Sequence, residues 1–185
     1  MQKPVLLAFR SYAIAELDLI KLTDNFMSNR LQVFIDTEFT NLSDPKLISI
    51  ALVSESGEEA YFEVEFNYAD CSEFVRESVL PLLQNDRACA VNSDELYSKL
   101  ETWFRITKST EQDIELCYDD EVDWRLFEKI FDNRVPRWIF PRNIEHEISP
   151  LLHFDYYKQM GCSEHHALND ARANAFSFRD KRNFM

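Results

Sequence analysis

The chain has 185 residues and a net charge of −13, and 45% of its residues are apolar and 14% aromatic. This length predicts one domain with at most a short appendage, and the aromatic content argues against disorder. The charge argues against broad binding along a duplex, which depends on neutralising many phosphates, but it leaves room for an enzyme that grips a few nucleotides.

Cysteine, glycine and apolar patterns narrow the class further. The four cysteines form no CxxC pair, which predicts reduced thiols in a cytoplasmic protein without a zinc site. No apolar run approaches the ~20 residues that cross a bilayer, so no membrane association is expected. With only two glycines, the glycine-rich phosphate loops of Rossmann and P-loop proteins are excluded.

In chain order, residues 1–29 differ from the rest of the chain. They are predicted to be an N-terminal extension whose role the sequence does not define, with a helix over 13–26. Residues 30–185 are predicted to form the main domain. It opens with strands over 31–36, 47–53 and 60–66, of which the first two are almost continuously apolar, as in strands buried on both faces. Their short links predict an antiparallel meander.

Helices and strands alternate through the rest of the chain. Asn92 and Glu95 have the spacing of a capping box at a helix start, and Gly161 suits a helix C-terminus. The order of elements predicts an α/β fold with a mixed sheet flanked by helices. The predicted helices cover 72–84, 92–106, 124–131, 147–160 and 166–181, and the predicted strands cover 113–118 and 135–140.

Asp36 and Glu38 end the first predicted strand. Residues two apart in a strand point to the same face, roughly 6–7 Å from each other. Two carboxylates in that arrangement can share divalent cations, which prefer oxygen ligands. Burying them without partners would be costly. The alternative is a strand end that runs into an exposed polar loop.

Asp123 lies in an acidic segment between a predicted strand and a predicted helix. A carboxylate at a strand-to-helix junction can bind a metal. It is also a common helix N-cap, and an acidic segment can simply be a solvated loop.

His165 and Asp170 surround the start of the last predicted helix. A helix that begins near His166 places His165 in the preceding loop and Asp170 one turn inside, so that the histidine can lean over a metal held by Asp170. If the whole stretch were helical, His166 and Asp170 would share a face instead. The alternative is a helix cap with surface histidines.

Taken in this order, the three motifs resemble the DEDDh branch of the DnaQ-like 3′→5′ exonucleases, over roughly residues 31–180. Asp36-Thr-Glu38-Phe matches the first family motif, Val122-Asp123 followed by Leu126-Phe127 the second, and His165-His-Ala-Leu-Asn-Asp170-Ala the third. The chain looks most similar to small, single-domain bacterial exoribonucleases known from mycobacteria. Asp119 and Phe39-Thr40 depart from the Asn and Thr-Gly of many relatives, which weakens the analogy with proofreading subunits.

The resemblance implies an RNase H-like fold, with an antiparallel meander of three strands plus parallel strands, and two-metal hydrolysis that releases nucleoside 5′-monophosphates. It implies two divalent ions, Mg²⁺ or Mn²⁺, bound by Asp36, Glu38, Asp123 and Asp170, with His165 as the general base. The implied partner is a nucleic acid 3′ end, RNA in preference to DNA, and a homodimer is left open. An exodeoxyribonuclease in DNA repair and a non-catalytic nucleic-acid-binding module of the same fold are the alternatives.

Four further residues are candidate substrate contacts. Phe39 could pack on the terminal base or sugar, as aromatic rings do in proteins that bind single strands. Arg137 and Arg142 could meet phosphates. Thr37, between the two carboxylates of the first motif, is the fourth candidate.

Overall fold

The structure is a computed structural model that describes residues 30–84, 86 and 88–180. The predicted extension over 1–29 lies outside the described residues. The strands are β1 (Arg30–Phe39), β2 (Leu47–Ser54), β3 (Glu59–Val64), β4 (Ala90–Val91), β5 (Asp113–Tyr118) and β6 (Ile139–Asn143). The helices are α1 (Ser93–Thr107), α2 (Glu121–Ile130), α3 (Pro150–Met160) and α4 (Ala167–Ser177).

Most helix boundaries follow local signals. The Asn92 side chain caps α1 by accepting a hydrogen bond from the Glu95 N–H, and Gly161 ends α3 in the left-handed conformation. None of the helices in the described ranges has the length and apolar character needed to cross a membrane.

The helix predicted over 72–84 does not form as one α-helix. The chain makes a π-helical turn at Val75–Val79 and a 3₁₀ turn at Leu80–Leu82 instead. Pro81 lies in the second turn, where it lacks an N–H and disfavours the α conformation of the residue before it. Two more 3₁₀ turns lie at Tyr68–Asp70 and Glu145–Glu147.

The six strands form one sheet in the order β4-β3-β2-β1-β5-β6. The pairs β1–β2 and β2–β3 are antiparallel, which confirms the predicted meander. The pairs β3–β4 and β5–β6 are parallel, so the sheet is mixed, as predicted. β4 was not predicted, because a strand of two residues is too short to show a period in the sequence.

Helices cover both faces of the sheet. Val33 and Ile35 of β1 belong to the main core, which they share with residues of α1 and α2. On the other face, Ala51 of β2 packs with Ala167 and Ala171 of α4. Small side chains on both sides let α4 lie close to the strands.

The sheet register explains why the first motif faces α4. Asp36 of β1 is the cross-strand partner of Ala51, and such partners point to the same side of a sheet. Glu38, two residues further on, points the same way. Both carboxylates therefore face the helix that carries Asp170.

Candidate metal centre

Five carboxylates from three parts of the chain meet at one end of the sheet. Oxygen atoms of Asp36, Glu38 and Asp170 lie within 4.8 Å of one another, and so do those of Asp36, Asp119 and Asp123. Asp36 is common to both groups. The structure thus brings together the four carboxylates singled out in the sequence and adds Asp119, which the sequence motifs did not select.

Asp123 is not the helix cap that its position suggested. α2 begins earlier than predicted, and its N-cap is Asp120, whose carboxylate accepts the Val122 N–H at 2.8 Å. Asp123 stands in the first turn with only 2% of its surface exposed. That burial also excludes a merely solvated acidic loop at this position.

Thr37 holds Asp123 in place. The Thr37 N–H and hydroxyl both donate to Asp123 Oδ1, at 3.0 Å and 2.6 Å. Both residues are buried, so the hydroxyl of Thr37 is directed at the carboxylate. The structure gives the predicted substrate contact a positioning role.

Asp170 is held by two donors. The Tyr157 hydroxyl of α3 donates to Oδ1 at 2.8 Å, and the His165 backbone N–H donates to Oδ2 at 2.9 Å. Nothing in the sequence distinguishes Tyr157 from an ordinary core tyrosine. It was therefore missed, and only the packing of α3 against α4 reveals it.

The two neighbouring histidines have different surroundings. α4 begins at Ala167 with His166 as its N-cap, which confirms that His165 lies in the preceding loop. His165 has a left-handed backbone (φ 66°), and its ring lies edge-on to Phe74, with centroids 4.9 Å apart.

His166 instead stacks on Tyr61 at 4.8 Å. Its Nδ1 is buried with no hydrogen-bond partner among the described residues, and burial lowers its pKa. His165 thus contacts the Asp170 carboxylate through its N–H, whereas the ring of His166 packs on Tyr61.

The electrostatics of the cluster are unfavourable without a cation. Burial, followed by repulsion from the neighbouring carboxylates, raises the pKa of Asp36 well above its usual range. Burial is also the main cause that raises the pKa of Glu38 and of Asp123 to about 8 and that of Asp170 to about 6. None of the Lys–carboxylate or Arg–carboxylate ion pairs between described residues involves the five carboxylates.

A donor set made only of carboxylate oxygens fits hard divalent cations such as Mg²⁺ or Mn²⁺ better than softer metals. Such ions would neutralise the repulsion that raises these pKa values. The residues present therefore fit the ions that the sequence resemblance implied.

Phe39 lines a groove beside these carboxylates. The groove has a volume of about 520 Å³ and begins at Glu38. Its apolar walls include Phe74, the ring that contacts His165. The remaining lining residues are Asn41, Leu42, Ser43, Ser72, Val75 and Val79.

The two predicted arginines do not join this site. Arg142 is surrounded by carboxylates of the chain itself, with ion pairs to Glu115 at 2.9 Å, Glu147 at 2.7 Å and Asp180 at 3.0 Å. Its side chain is 12% exposed. The guanidinium is directed at these partners. The prediction that Arg142 binds substrate phosphates therefore has no support in the structure.

Arg137 lies at the opposite end of the sheet. It is exposed and precedes Ile139, which pairs with Ile114 at the start of β5. The carboxylate Asp119 follows the end of the same strand, roughly 16 Å away at about 3.3 Å per residue. A substrate contact by Arg137 at these carboxylates therefore has no support in the fold.

Comparison with solved structures finds two proteins whose structures align with most of this chain. The structure of cell-death related nuclease 4 (CRN-4) superposes with a TM-score of 0.53 and 15% identity, over 78% of this chain and 61% of that chain. A structure of exonuclease I gives a TM-score of 0.46 and 14% identity, over 79% of this chain and 39% of that one. This chain therefore spans less than two thirds of either protein. The likeness to CRN-4 confirms the predicted RNase H-like fold. No protein-family model and no curated protein matches the sequence.

Proposed function

We propose that the protein is a metal-dependent 3′→5′ exoribonuclease of the DEDDh group that releases nucleoside 5′-monophosphates. One observation carries the proposal. Asp36, Glu38, Asp123 and Asp170 converge beside His165, and among the described residues no lysine or arginine forms an ion pair with them. A largely buried acidic cluster of this kind must either take up protons or share a cation, and a divalent cation neutralises several carboxylates at once.

The carboxylates would hold the divalent ions, Mg²⁺ or Mn²⁺. Bound there, two such ions supply an activated water and neutralise charge on the scissile phosphate and the leaving oxygen. Thr37 and Tyr157 keep the ligands Asp123 and Asp170 in position through their hydroxyl hydrogen bonds. Groups of this kind, one step behind the ligands, typically affect metal affinity or activity 10- to 100-fold.

His165 would accept the proton of the attacking water. Histidine is the most frequent general base in enzymes. The His165 N–H bond to Asp170 ties the loop to a metal ligand, and the contact with Phe74 orients the ring. These two contacts support the assignment of His165 as the base.

The apolar groove beside Glu38 is suited to the last base of the substrate. Stacking on aromatic and apolar surfaces tolerates any base, which suits an enzyme that removes nucleotides in succession. The charge of −13 disfavours contacts along the body of a duplex. These features support a site that takes a chain end. The preference for RNA rests on the sequence resemblance, and the competing substrate is DNA.

Digestion of matched oligonucleotides tests the proposal. Single-stranded RNA and DNA of one sequence, labelled at the 5′ end, would be incubated with Mg²⁺ or Mn²⁺. We expect RNA to shorten stepwise from its 3′ end, with nucleoside 5′-monophosphates as products and no reaction in EDTA. Faster digestion of DNA would replace the RNA assignment with the exodeoxyribonuclease, and internal cleavage or 3′-phosphate products would refute the exonuclease mechanism.

A carboxylate variant tests the site itself. Asp36→Asn should lower the rate by more than about 100-fold, because loss of a direct ligand exceeds the effect of losing a supporting group. Asp120→Asn is the matched control, since Asp120 is exposed, caps α2, and asparagine caps equally well. Equal rates for Asp36→Asn and wild-type protein, both purified away from contaminating nucleases, would refute the site.

A further inference from the structure

Asp119 has the geometry of a ligand although its sequence position did not single it out. It directly follows β5 and is two residues beyond Cys117, whose side chain packs with Phe34 on the α4 side of the sheet. The alternation of strand residues directs Asp119 to the same side. Its carboxylate lies within 4.8 Å of the carboxylates of Asp36 and Asp123.

Asn174 holds the Asp119 carboxylate in place through a hydrogen bond. It stands on α4, one turn beyond Asp170, and is 1% exposed. Its side-chain N–H donates to Asp119 Oδ1 at 2.8 Å. The reverse orientation of the amide would place its oxygen against a carboxylate oxygen, so the hydrogen bond determines which way Asn174 faces.

The other atom of the same amide has no partner. Asn174 Oδ1 is buried and accepts no hydrogen bond from the described residues. A buried acceptor without a protein donor is costly, and in native proteins such an atom often contacts a bound water or ion. A water bound to a cation between these carboxylates would supply that donor.

A structural role alone does not account for a carboxylate at this position. An amide side chain could pair with Asn174 without adding a negative charge next to Asp36 and Asp123. A third carboxylate here becomes favourable when a cation is shared with the other two.

We infer that Asp119 binds the divalent cation shared by Asp36 and Asp123, and that Asn174 orients Asp119 for this purpose. The inference rests on the proposed function, because it concerns the same metal centre. It makes the centre a set of five carboxylates, with three of them around one cation.

Metal binding by variants of the whole chain tests this assignment without relying on activity. Asp119→Asn should weaken Mn²⁺ binding, measured by titration calorimetry, by at least about 10-fold. In EDTA the same variant should unfold at a higher temperature than wild type, because a buried like charge is removed. Asp120→Asn, at the neighbouring exposed residue, should change both quantities much less.

The opposite pattern would overturn the inference. A purely structural Asp119 predicts unchanged Mn²⁺ affinity in Asp119→Asn. Asp36→Asn separates this failure from failure of the proposed function. If Asp36→Asn alone weakens Mn²⁺ binding, the proposed function stands and the Asp119 assignment falls. If neither variant affects binding, both fall.

A measurement on wild-type protein covers the case in which Asp119→Asn does not fold. The side-chain amide resonance of Asn174 can be assigned in NMR spectra as the one that the Asn174→Ser variant lacks. In wild-type protein, saturating Mg²⁺ should shift this resonance. An amide resonance that Mg²⁺ leaves in place would refute the role of Asn174 and the cation next to Asp119.

Discussion

Two acidic clusters lie along β5, and they differ in whether the chain itself supplies the cation that neutralises their negative charge. The arginine cluster consists of Arg142 with Glu115, Glu147 and Asp180. The metal-centre cluster consists of Asp36, Glu38, Asp119, Asp123 and Asp170. Glu115 and Asp119 are four residues apart along the chain, roughly 13 Å in an extended backbone, and both point to the α4 side of the sheet.

The arginine cluster contains its own cation. Each of its carboxylates receives a hydrogen bond from the Arg142 guanidinium, which also lies 5.1 Å from the centre of the Phe178 ring. The metal-centre carboxylates form no ion pair with a lysine or arginine of the described residues. The first cluster is therefore part of the folded framework, whereas the second has the donor set for an external cation.

Substitution of His165 at the metal-centre cluster and of Arg142 in the arginine cluster tests this difference most directly. His165→Asn should lower nuclease activity by about 100- to 10,000-fold, the usual contribution of a general base, with little change in stability. Asparagine suits this variant because it tolerates the left-handed backbone of His165. His166→Asn, on the stacked neighbour, should retain much more activity. A larger loss for His166→Asn, measured under single-turnover conditions, would reverse the assignment of the base.

Removal of Arg142 should act on stability instead. Arg142→Ala takes the guanidinium away from one buried carboxylate, Glu115, and two half-buried ones, and should lower the free energy of unfolding by about 3–5 kcal/mol, measured by urea denaturation. Arg105→Ala is the control, because it breaks an exposed pair with Glu101 that contributes less than about 1 kcal/mol. Similar losses for the two variants would show that the arginine cluster is not a structural element.

A smaller effect is expected from the support of Asp123. Thr37→Val removes the hydroxyl donor but keeps the backbone N–H bond, so Mn²⁺ affinity should fall by about 10-fold, the lower end of such effects. Thr37→Ser keeps the hydroxyl and serves as the control. If both variants bind Mn²⁺ like wild type, the hydroxyl does not position the ligand.

The pH dependence of stability should differ between the metal-free and the metal-bound protein. The pKa of Glu38 is about 8 in the folded protein, above its value in an unfolded chain, so the metal-free protein holds a proton that the unfolded chain releases. The contribution of Glu38 to stability should therefore be complete below about pH 4 and fall as the pH rises toward about 8. Saturating Mg²⁺ should remove most of this loss of stability. Asp36→Asn should remove part of it, because it removes one of the repelling charges. An equal fall with and without Mg²⁺ would contradict the comparison.

Most of the framework could be predicted from local sequence patterns. Buried strands produce long apolar runs, so β1, β2 and β5 could be predicted within three residues at each end, and β5 matches its predicted bounds. The three motifs also placed four carboxylates and His165 in the order of a known family. Alternation along β1 was enough to predict that Asp36 and Glu38 face the same way.

The residues that complete the centre were settled by tertiary packing. Asp119 and Asp120 are adjacent and chemically identical, yet one points at Asp36 while the other caps α2. The sequence made Arg142 a candidate phosphate ligand, but in the structure it pairs with three carboxylates. Two of these partners lie more than 25 residues away in the chain. Tyr157 and Asn174 likewise act through contacts between helices and with β5. Local patterns determine the direction of a side chain within its own element, but partners that are distant in sequence are fixed only when those elements pack.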